Sequence, residues 1–312
     1  MRSPTMRAAT IDRRGRVSVL DVPLPRVGPR EVLIAVETSG VGSWDASMRP
    51  EGPDDRIVPG TDGAGLIEAV GSRVRRFRVR DKVYSYSYQN PKGGFHARFV
   101  AVDAKKVARV PRGLDRARAG AIGTTGLTAL QGVDDALNLK KGERVILHGA
   151  SGGVGTLALQ FAKLRGARVL ATASGRDGIA LVRRLGADVA VDGRRRDILA
   201  EARRFAPGGV DAVLAFVGGK SLARCLDALK PRGGRLAYPN GVEPAPRKRK
   251  GVRFTAYDGT PGVVEFQRLN RAVEACRLKV PIARAYPISR AASAYRLASK
   301  GHVLGKILLR LR

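Results

Sequence analysis

Residues 145–155 of the chain have the sequence VILHGASGGVG. The apolar run at 145–147 suits a buried strand, and the glycines that follow suit a tight turn that opens a helix. Gly149 and Gly152 would let the backbone approach a diphosphate without an intervening Cβ, and Gly155 would permit close packing of helix on strand. The helix N-terminus presents N–H groups and positive partial charge. The stretch therefore predicts a dinucleotide-binding turn in an α/β domain.

Downstream of about residue 119, helical periods alternate with short buried strands. In the helix after the glycine turn, Leu157, Phe161 and Leu164 share one face, and Gly166 can end the helix. Such alternation predicts a doubly wound parallel sheet with helices on both faces. The predicted strands cover residues 144–148, 168–173, 189–192, 211–216 and 235–239.

The chain up to about residue 115 has short β-rich runs separated by turn clusters, which favours an antiparallel domain. Examples of these runs are residues 32–37, 64–70 and 95–102. The tail predicts helices at 263–278 and 291–300 and a strand at 306–311. Because a single core stops growing at about 250 to 300 residues, we expect two domains in these 312 residues.

The composition, with 44% apolar and 27% charged residues, is that of an ordinary folded protein. The sequence contains no apolar run of about 18 residues and no apolar segment of the kind that a signal peptide needs. We therefore expect a cytoplasmic protein without membrane insertion.

The charge is unusual, because 58 basic and 27 acidic residues give a formal net charge of +31. Such a charge attracts polyanions. The basic residues are spread along the whole chain, so solvated surface is the simpler interpretation. A nucleotide-binding protein with a basic surface that holds nucleic acid stays open as an alternative.

Cysteines and histidines offer little material for a metal site. Cys225 and Cys276 each lie in a helical apolar pattern and are expected to be buried core thiols. The histidines, at 96, 148 and 302, have no partner at ligand spacing.

The end of the second parallel strand distinguishes the two nicotinamide cofactors. An acidic residue there binds the ribose 2′-hydroxyl of NAD and repels a 2′-phosphate. This chain has Ser174-Gly175-Arg176 at that place, with Ser174 19 residues after Gly155. Both side chains suit a phosphate, so the sequence favours NADPH. In the alternative interpretation Arg176 is a surface residue and Asp177 caps the next helix.

Several ordered blocks resemble the medium-chain dehydrogenase/reductase superfamily, and within it the quinone-oxidoreductase branch, over nearly the whole chain. These blocks are 40–45 (GVGSWD), 59–65 (PGTDGAG), 94–100 (GFHARFV), 124–129 (TTGLTA), the glycine turn, 217–219 (VGG) and 305–307 (GKI). The resemblance implies a GroES-like, β-rich catalytic domain in residues 1–118, a Rossmann domain in 119–258 and a return to the catalytic domain in 259–312. It places the active site in the cleft between the domains.

The resemblance also implies hydride transfer from NADPH to a quinone or an α,β-unsaturated carbonyl. Zinc-dependent relatives carry a cysteine and a histidine ligand where this chain has Gly42 and Thr61, so we expect no catalytic zinc. The likeness further implies a homodimer, in which the strand-like segment 252–257 would extend the sheet. A dedicated enoyl or ketone reductase of a biosynthetic pathway is an alternative with the same chemistry.

Site residues follow from the same resemblance, position by position. The implied cofactor-binding residues are Thr125, Thr128, Gly149, Ala150, Ser151, Gly152, Gly153, Val154, Ser174, Arg176, Val217, Gly218, Asn240, Gly241 and Lys306.

For the chemistry itself, Ser43, Ser47 and Thr125 are candidate donors to an acceptor carbonyl, and Asp45 is a candidate to orient a proton relay. Trp44 would form a flat wall for a planar substrate. The alternatives are a helix cap for Asp45 and core packing for Trp44. Quinone reductases often have a tyrosine where this chain has Ser47, which leaves the acceptor open. They often have another tyrosine, near a 2′-phosphate, where this chain has Gly193, which weighs against NADPH.

Overall fold

The computed structural model describes residues 4–51 and 54–312. The chain divides into two compact units, each of which has its own core. Unit 1 contains the chain up to Thr124 together with Pro261–Glu274 and Ile282–Arg312, and unit 2 contains Thr125–Thr260 and Ala275–Pro281.

The strands and helices are numbered in chain order. The strands are β1 (Thr5–Asp12), β2 (Val17–Pro23), β3 (Glu31–Val41), β4 (Arg56–Ile57), β5 (Asp62–Val70), β6 (Lys82–Tyr86), β7 (Phe99–Asp103), β8 (Val107–Arg109), β9 (Arg144–His148), β10 (Arg168–Ala173), β11 (Val189–Asp192), β12 (Ala212–Ala215), β13 (Gly234–Pro239), β14 (Val252–Tyr257), β15 (Ile282–Pro287) and β16 (Lys306–Arg310). The helices are α1 (Ser43–Ser47), α2 (Arg116–Ala119), α3 (Gly123–Gln131), α4 (Gly153–Leu164), α5 (Gly175–Arg184), α6 (Ile198–Phe205), α7 (Lys220–Asp227), α8 (Val263–Cys276) and α9 (Ala291–Lys300).

Unit 1 is built on a sheet of order β15-β16-β3-β5-β6-β8, with β7 also paired to β3. Only β15 and β16 run parallel within it. A smaller sheet has the order β2-β1-β4. The apolar run of β3 is buried along almost its whole length, because β3 pairs with β5, β7 and β16. The predicted β-rich antiparallel domain is confirmed.

The predicted strand at 95–102 begins only at Phe99. Residues before it leave the sheet because they bond to another loop: Phe95 N donates to Gly60 O at 2.9 Å, and His96 N donates to Pro59 O at 3.0 Å. Gly60 has φ +103°, a left-handed conformation that suits glycine. This crossing brings two of the sequence blocks side by side.

Unit 2 contains a wholly parallel sheet of order β11-β10-β9-β12-β13-β14. The predicted strands at 144–148, 168–173 and 189–192 are confirmed to the residue. Gly166 follows α4 with φ +75°, as expected for a helix-ending glycine. The α/β fold class, with a GroES-like β-rich domain and a doubly wound Rossmann domain, is therefore confirmed.

Cys225 and Cys276 do not form a disulfide with each other. Cys225 is fully buried in the core of unit 2, and burial raises its pKa to about 12. Cys276 is only half-buried, because it is the last residue of α8, so the prediction of a core thiol is wrong for it. Among the described residues, no helix combines the length and apolarity needed to cross a bilayer.

Candidate active site

The predicted glycine turn joins β9 to α4, and its backbone tolerates no side chain at two points. Gly149 has φ +82°. A Cβ on Gly155 would overlap Gly149 O and would lie 2.7 Å from Ala150 Cα. By contrast, a Cβ on Gly152 would have no neighbour nearer than Gly149 O at 3.6 Å. Gly155 therefore serves the packing of α4 on β9, whereas Gly152 leaves open space over the turn.

The amides of the turn fall into two groups. Ala150 N donates to Thr172 O at 2.9 Å and Gly149 N donates to Thr172 Oγ1 at 3.1 Å, so both are used within the protein. The first amides of α4 have no acceptor within the helix, and the N-cap, Gly152, has no side chain to bond them. The combination of open space and helix-end amides fits the diphosphate of a dinucleotide.

At the end of β10, Ser174 forms the N-cap of α5 without a side-chain cap bond, and Arg176 is exposed. Arg176 lines a cavity of about 630 Å³. Its lining includes four arginines, namely Arg176, Arg183, Arg195 and Arg196. Within the part of the chain that the structure describes, none of these four side chains has an ion pair.

Other predicted cofactor residues also belong to unit 2. Thr125 and Thr128 are buried on α3, and the Tyr257 hydroxyl donates to Thr128 O at 2.9 Å.

Val217 and Gly218 follow β12, where Val217 is 47% exposed. Asn240 and Gly241 follow β13, and the Asn240 side chain donates to Asp258 Oδ2 at 2.7 Å. Val217, Gly218, Asn240 and Gly241 lie just past the carboxyl ends of parallel strands, where ligands bind in such sheets.

In unit 1, the short helix α1 carries the predicted chemical groups. Asp45 is fully buried, and its Oδ2 accepts a hydrogen bond from Gly42 N at 2.7 Å. Burial raises the pKa of Asp45 to about 6, although the nearby Lys306 ammonium and backbone donors act in the opposite direction. Ser43 and Ser47 are exposed, and the Ser47 hydroxyl donates to Trp44 O at 2.9 Å.

The Trp44 ring is held from two sides. Its Nε1–H donates to Thr61 Oγ1 at 3.0 Å, and that hydroxyl bonds the Thr124 hydroxyl at 3.0 Å. The Lys306 ammonium lies 4.5 Å from the centroid of the ring, within cation–π range. Lys306, which the resemblance assigns to the cofactor, thus contacts the aromatic side chain of α1.

Asp45, Asp62 and Lys306 form a buried charge cluster. Their Oδ1, Oδ1 and Nζ atoms are buried without a hydrogen-bond partner among the described residues. Burial raises the pKa of Asp62, and Lys306 lowers it. Gly40 makes room for the cluster, because a Cβ there would lie 2.6 Å from Lys306 Cε and 2.7 Å from Asp62 Oδ1.

His96 lies near this cluster and is hydrogen-bonded to strand β3 and helix α9. Its Nε2 donates to Gly40 O at 2.9 Å, and its Nδ1 accepts from the Tyr295 hydroxyl. Burial lowers the pKa of His96 to about 4, so the ring is neutral and its tautomer is fixed by the Gly40 carbonyl.

The places where zinc-dependent relatives carry ligands hold groups of a different kind. Gly42 has no side chain, and the Thr61 hydroxyl is engaged with Trp44 and Thr124. Residues 4–51 and 54–312 contain no group of three or more histidine, cysteine, aspartate or glutamate side chains placed to hold a metal ion.

Asp62, Arg195, Arg196 and His148 were not predicted as site residues. A signal existed for Asp62, since a carboxylate at the start of an apolar strand is costly to bury unless it has a role. Arg195 and Arg196 lack a local signal, because only the fold of the loop after β11 brings them to Arg176.

Comparison with known proteins gives the family. The model of the alcohol dehydrogenase GroES-like domain matches residues 28–112, and that of the zinc-binding dehydrogenase matches residues 153–243. The quinone oxidoreductase of Lama guanicoe is 33% identical over 98% of this chain and 98% of that protein.

Two further likenesses concern a longer synthase and a solved structure. A mycocerosic acid synthase-like polyketide synthase of Mycobacterium tuberculosis is 32% identical over 90% of this chain, which spans only 14% of that synthase. The structure of mycobacterial Rv1454c complexed with NADPH has a TM-score of 0.86 at 26% identity, covering 98% of this chain and 99% of that one. The chain therefore belongs to the medium-chain dehydrogenase/reductase superfamily, in its quinone-oxidoreductase-like branch, and is an oxidoreductase that acts on a small molecule.

Proposed function

We propose that this chain is an NADPH-dependent reductase that transfers hydride to a quinone or an α,β-unsaturated carbonyl without zinc. The observation that carries the proposal is the arrangement at the carboxyl ends of β9, β10 and β11. There, a glycine turn with helix-end amides is followed by Ser174 and by unpaired arginines.

The arginines supply the preference for NADPH. Arg176 lies in the first turn of α5, and Arg195 and Arg196 follow β11. All three line one cavity, and Ser174 directly precedes α5. Guanidinium groups bind phosphate through charge-assisted hydrogen bonds. Three acidic residues also line the cavity, namely Asp188, Asp192 and Glu201. Asp192 accepts from Arg194 N at 3.0 Å and Gly175 N at 3.3 Å, and the other two pair with Lys163 and Arg204.

A bound nicotinamide dinucleotide supplies the hydride, and the protein binds and orients both reactants. Trp44, held by Thr61 and Lys306, offers a flat apolar wall for a planar acceptor. Exposed Ser43 and the Thr125 hydroxyl are the proposed donors to the acceptor oxygen, whereas the Ser47 hydroxyl already donates to Trp44 O. Asp45 holds the start of α1 through Gly42. Zinc independence is supported by the donor set, because Lys306 already places a cation beside Asp45 and Asp62.

The proposal is tested by binding and turnover of the purified chain. Calorimetry with NADPH and NADH should give clearly tighter binding of NADPH. Absorbance at the reduced-nicotinamide band should then fall when 1,4-benzoquinone or a simple enone is added. Failure to bind either dinucleotide, or stoichiometric zinc by elemental analysis, would contradict the proposal.

A biosynthetic acceptor is the second candidate, and the likeness to the polyketide synthase favours it. An enoyl thioester in the same acceptor panel separates the two. Turnover that is far faster with the thioester than with any quinone identifies a dedicated enoyl reductase, whereas the reverse order identifies a quinone reductase.

We also propose a homodimer. Strand β14 is the last strand of the unit 2 sheet, and its outer edge has no partner strand among the described residues. Unpaired edges are templates for pairing with another chain. Sedimentation equilibrium should give twice the chain mass of 33.3 kDa, and a proline in place of Thr255 should shift the species toward the monomer.

A further inference from the structure

His148 is the last residue of β9 and immediately precedes the glycine turn. Its side chain is 3% exposed, and both ring nitrogens have partners. Nδ1 lies 2.8 Å from Thr172 Oγ1, and Nε2 lies 3.1 Å from Ser221 Oγ. The imidazole therefore bridges the end of β10 and the first turn of α7.

The Thr172 hydroxyl also serves the turn, because its Oγ1 accepts from Gly149 N at 3.1 Å. Cys225 Sγ lies 3.5 Å from His148 Nδ1. A neutral imidazole carries one ring proton, so one of its nitrogens donates and the other accepts. Burial lowers the pKa of His148 to about 4, so the ring stays neutral at physiological pH.

Thr172 connects the His148 ring to the glycine turn by hydrogen bonds. Its hydroxyl accepts from Gly149 N and its carbonyl accepts from Ala150 N at 2.9 Å. These two bonds orient the backbone of Gly149 and Ala150, which leads into the first amides of α4. The Ser221 bond acts on a different segment, because Ser221 lies just after Gly218 and Gly219.

We infer that His148 is a positioning residue that couples the diphosphate-binding turn to the glycine loop before α7, so that both parts of the dinucleotide site share one hydrogen-bonded chain. The inference rests on the proposed function, since it assumes a dinucleotide at the turn. It assigns no contact between His148 and the ligand. The effect travels through Thr172 on one side and through Ser221 on the other.

The test uses dissociation constants of NADPH, NADH and ADP, because all three probes contain the diphosphate. His148→Leu should weaken all three about ten-fold, the order expected when one partner of a buried hydrogen bond is lost. Thr172→Val, which keeps the shape and removes the hydroxyl, should do the same. The double variant should bind each probe about as tightly as either single variant does, because the two side chains act through the same hydrogen bond.

Two further variants distinguish positioning from general damage. His148→Gln restores an acceptor and a donor and should recover most of the affinity. Ser221→Ala should leave ADP affinity within about two-fold and lower kcat with the best acceptor. The matched control is Val213→Ala, a buried core change on β12, which should lower stability without changing any dissociation constant.

The outcomes separate cleanly. A folded Thr172→Val variant that binds all three probes as the parent does overturns the inference alone, as does an equal loss in Val213→Ala. If the parent chain binds neither dinucleotide, the proposed function fails and the inference fails with it.

Discussion

The Lys306 ammonium lies 4.5 Å from the centroid of the Trp44 ring and is buried without a hydrogen-bond partner among the described residues. Its charge is balanced by Asp45 and Asp62, whose pKa values it lowers against the effect of burial. The lysine thus lets two buried carboxylates coexist next to the aromatic wall of α1.

Replacing Lys306 with methionine should destabilise the protein in a pH-dependent way. Without the ammonium, ionised Asp45 and Asp62 are uncompensated, which should cost about 3 kcal/mol at pH 8. At pH 5 the cost should be smaller, because the carboxyls can take up protons. Urea unfolding at both pH values measures this, with Lys306→Arg as the charge-retaining control. An equal loss at both values would contradict the electrostatic account.

Replacing Asp45 with asparagine should remove an electrostatic penalty on the free energy of unfolding. The pKa of Asp45 is raised from 3.8 to about 6 in the folded chain, so its ionisation penalises folding as pH rises from about 4 to 6, by about 3 kcal/mol. The asparagine oxygen can still accept from Gly42. The free energy of unfolding of Asp45→Asn should therefore improve relative to the parent between pH 4 and 7. A constant difference across that range would show that Asp45 does not titrate there.

Replacing His96 with glutamine should reduce sensitivity to acid. The folded-state pKa of His96 is lowered from 6.5 to about 4, so the unfolded chain takes up a proton first and stability is lost as pH falls from 6.5 to 4. This loss amounts to about 3 kcal/mol. The variant should show a shallower decline over that window by thermal unfolding. His302→Gln, at an exposed position, should leave the decline unchanged.

Two glycines of the turn should behave differently when changed to alanine. At Gly155 a Cβ overlaps Gly149 O and comes within 2.7 Å of Ala150 Cα, so Gly155→Ala should lower the melting temperature of the protein alone. At Gly152 the Cβ has space, so Gly152→Ala should keep the melting temperature and weaken dinucleotide binding by ten-fold or more. Unimpaired binding by folded Gly152→Ala would remove the diphosphate from this turn.

The cofactor preference should depend on the arginines at one end of their cavity. Changing Arg176 and Arg195 together to alanine should weaken NADPH about a hundred-fold and NADH little, because only NADPH has the 2′-phosphate. Arg183 lines the same cavity but lies about 10 Å further along α5. Arg183→Ala should therefore leave the ratio of the two affinities unchanged. Equal weakening of both cofactors would indicate a general charge effect.

Much of the fold could be predicted because its signals are local. The strand at 144–148, the glycine turn and the helix after it depend on apolar period and on the backbone freedom of glycine. The structure has the strand at the predicted residues, and a helix follows the turn as predicted. The run at 95–102 was predicted less well, since its first residues bond to Pro59 and Gly60 instead of a strand. Hydrogen bonds between residues so far apart in the sequence do not affect the local apolar periodicity from which strands are predicted.

By itself, the sequence determined the two-domain architecture, the dinucleotide turn and the absence of cysteine and histidine at the places of the zinc ligands, because each depends on residue types at short spacing. The tertiary structure decided that Lys306 meets Asp45 and Asp62, that Arg195 and Arg196 join Arg176, and that His148 holds Thr172. In the first case the cause is strand register: β16 pairs with β3 so that Leu308 lies opposite Gly40, and this pairing brings a residue near the end of the chain beside residues near its start.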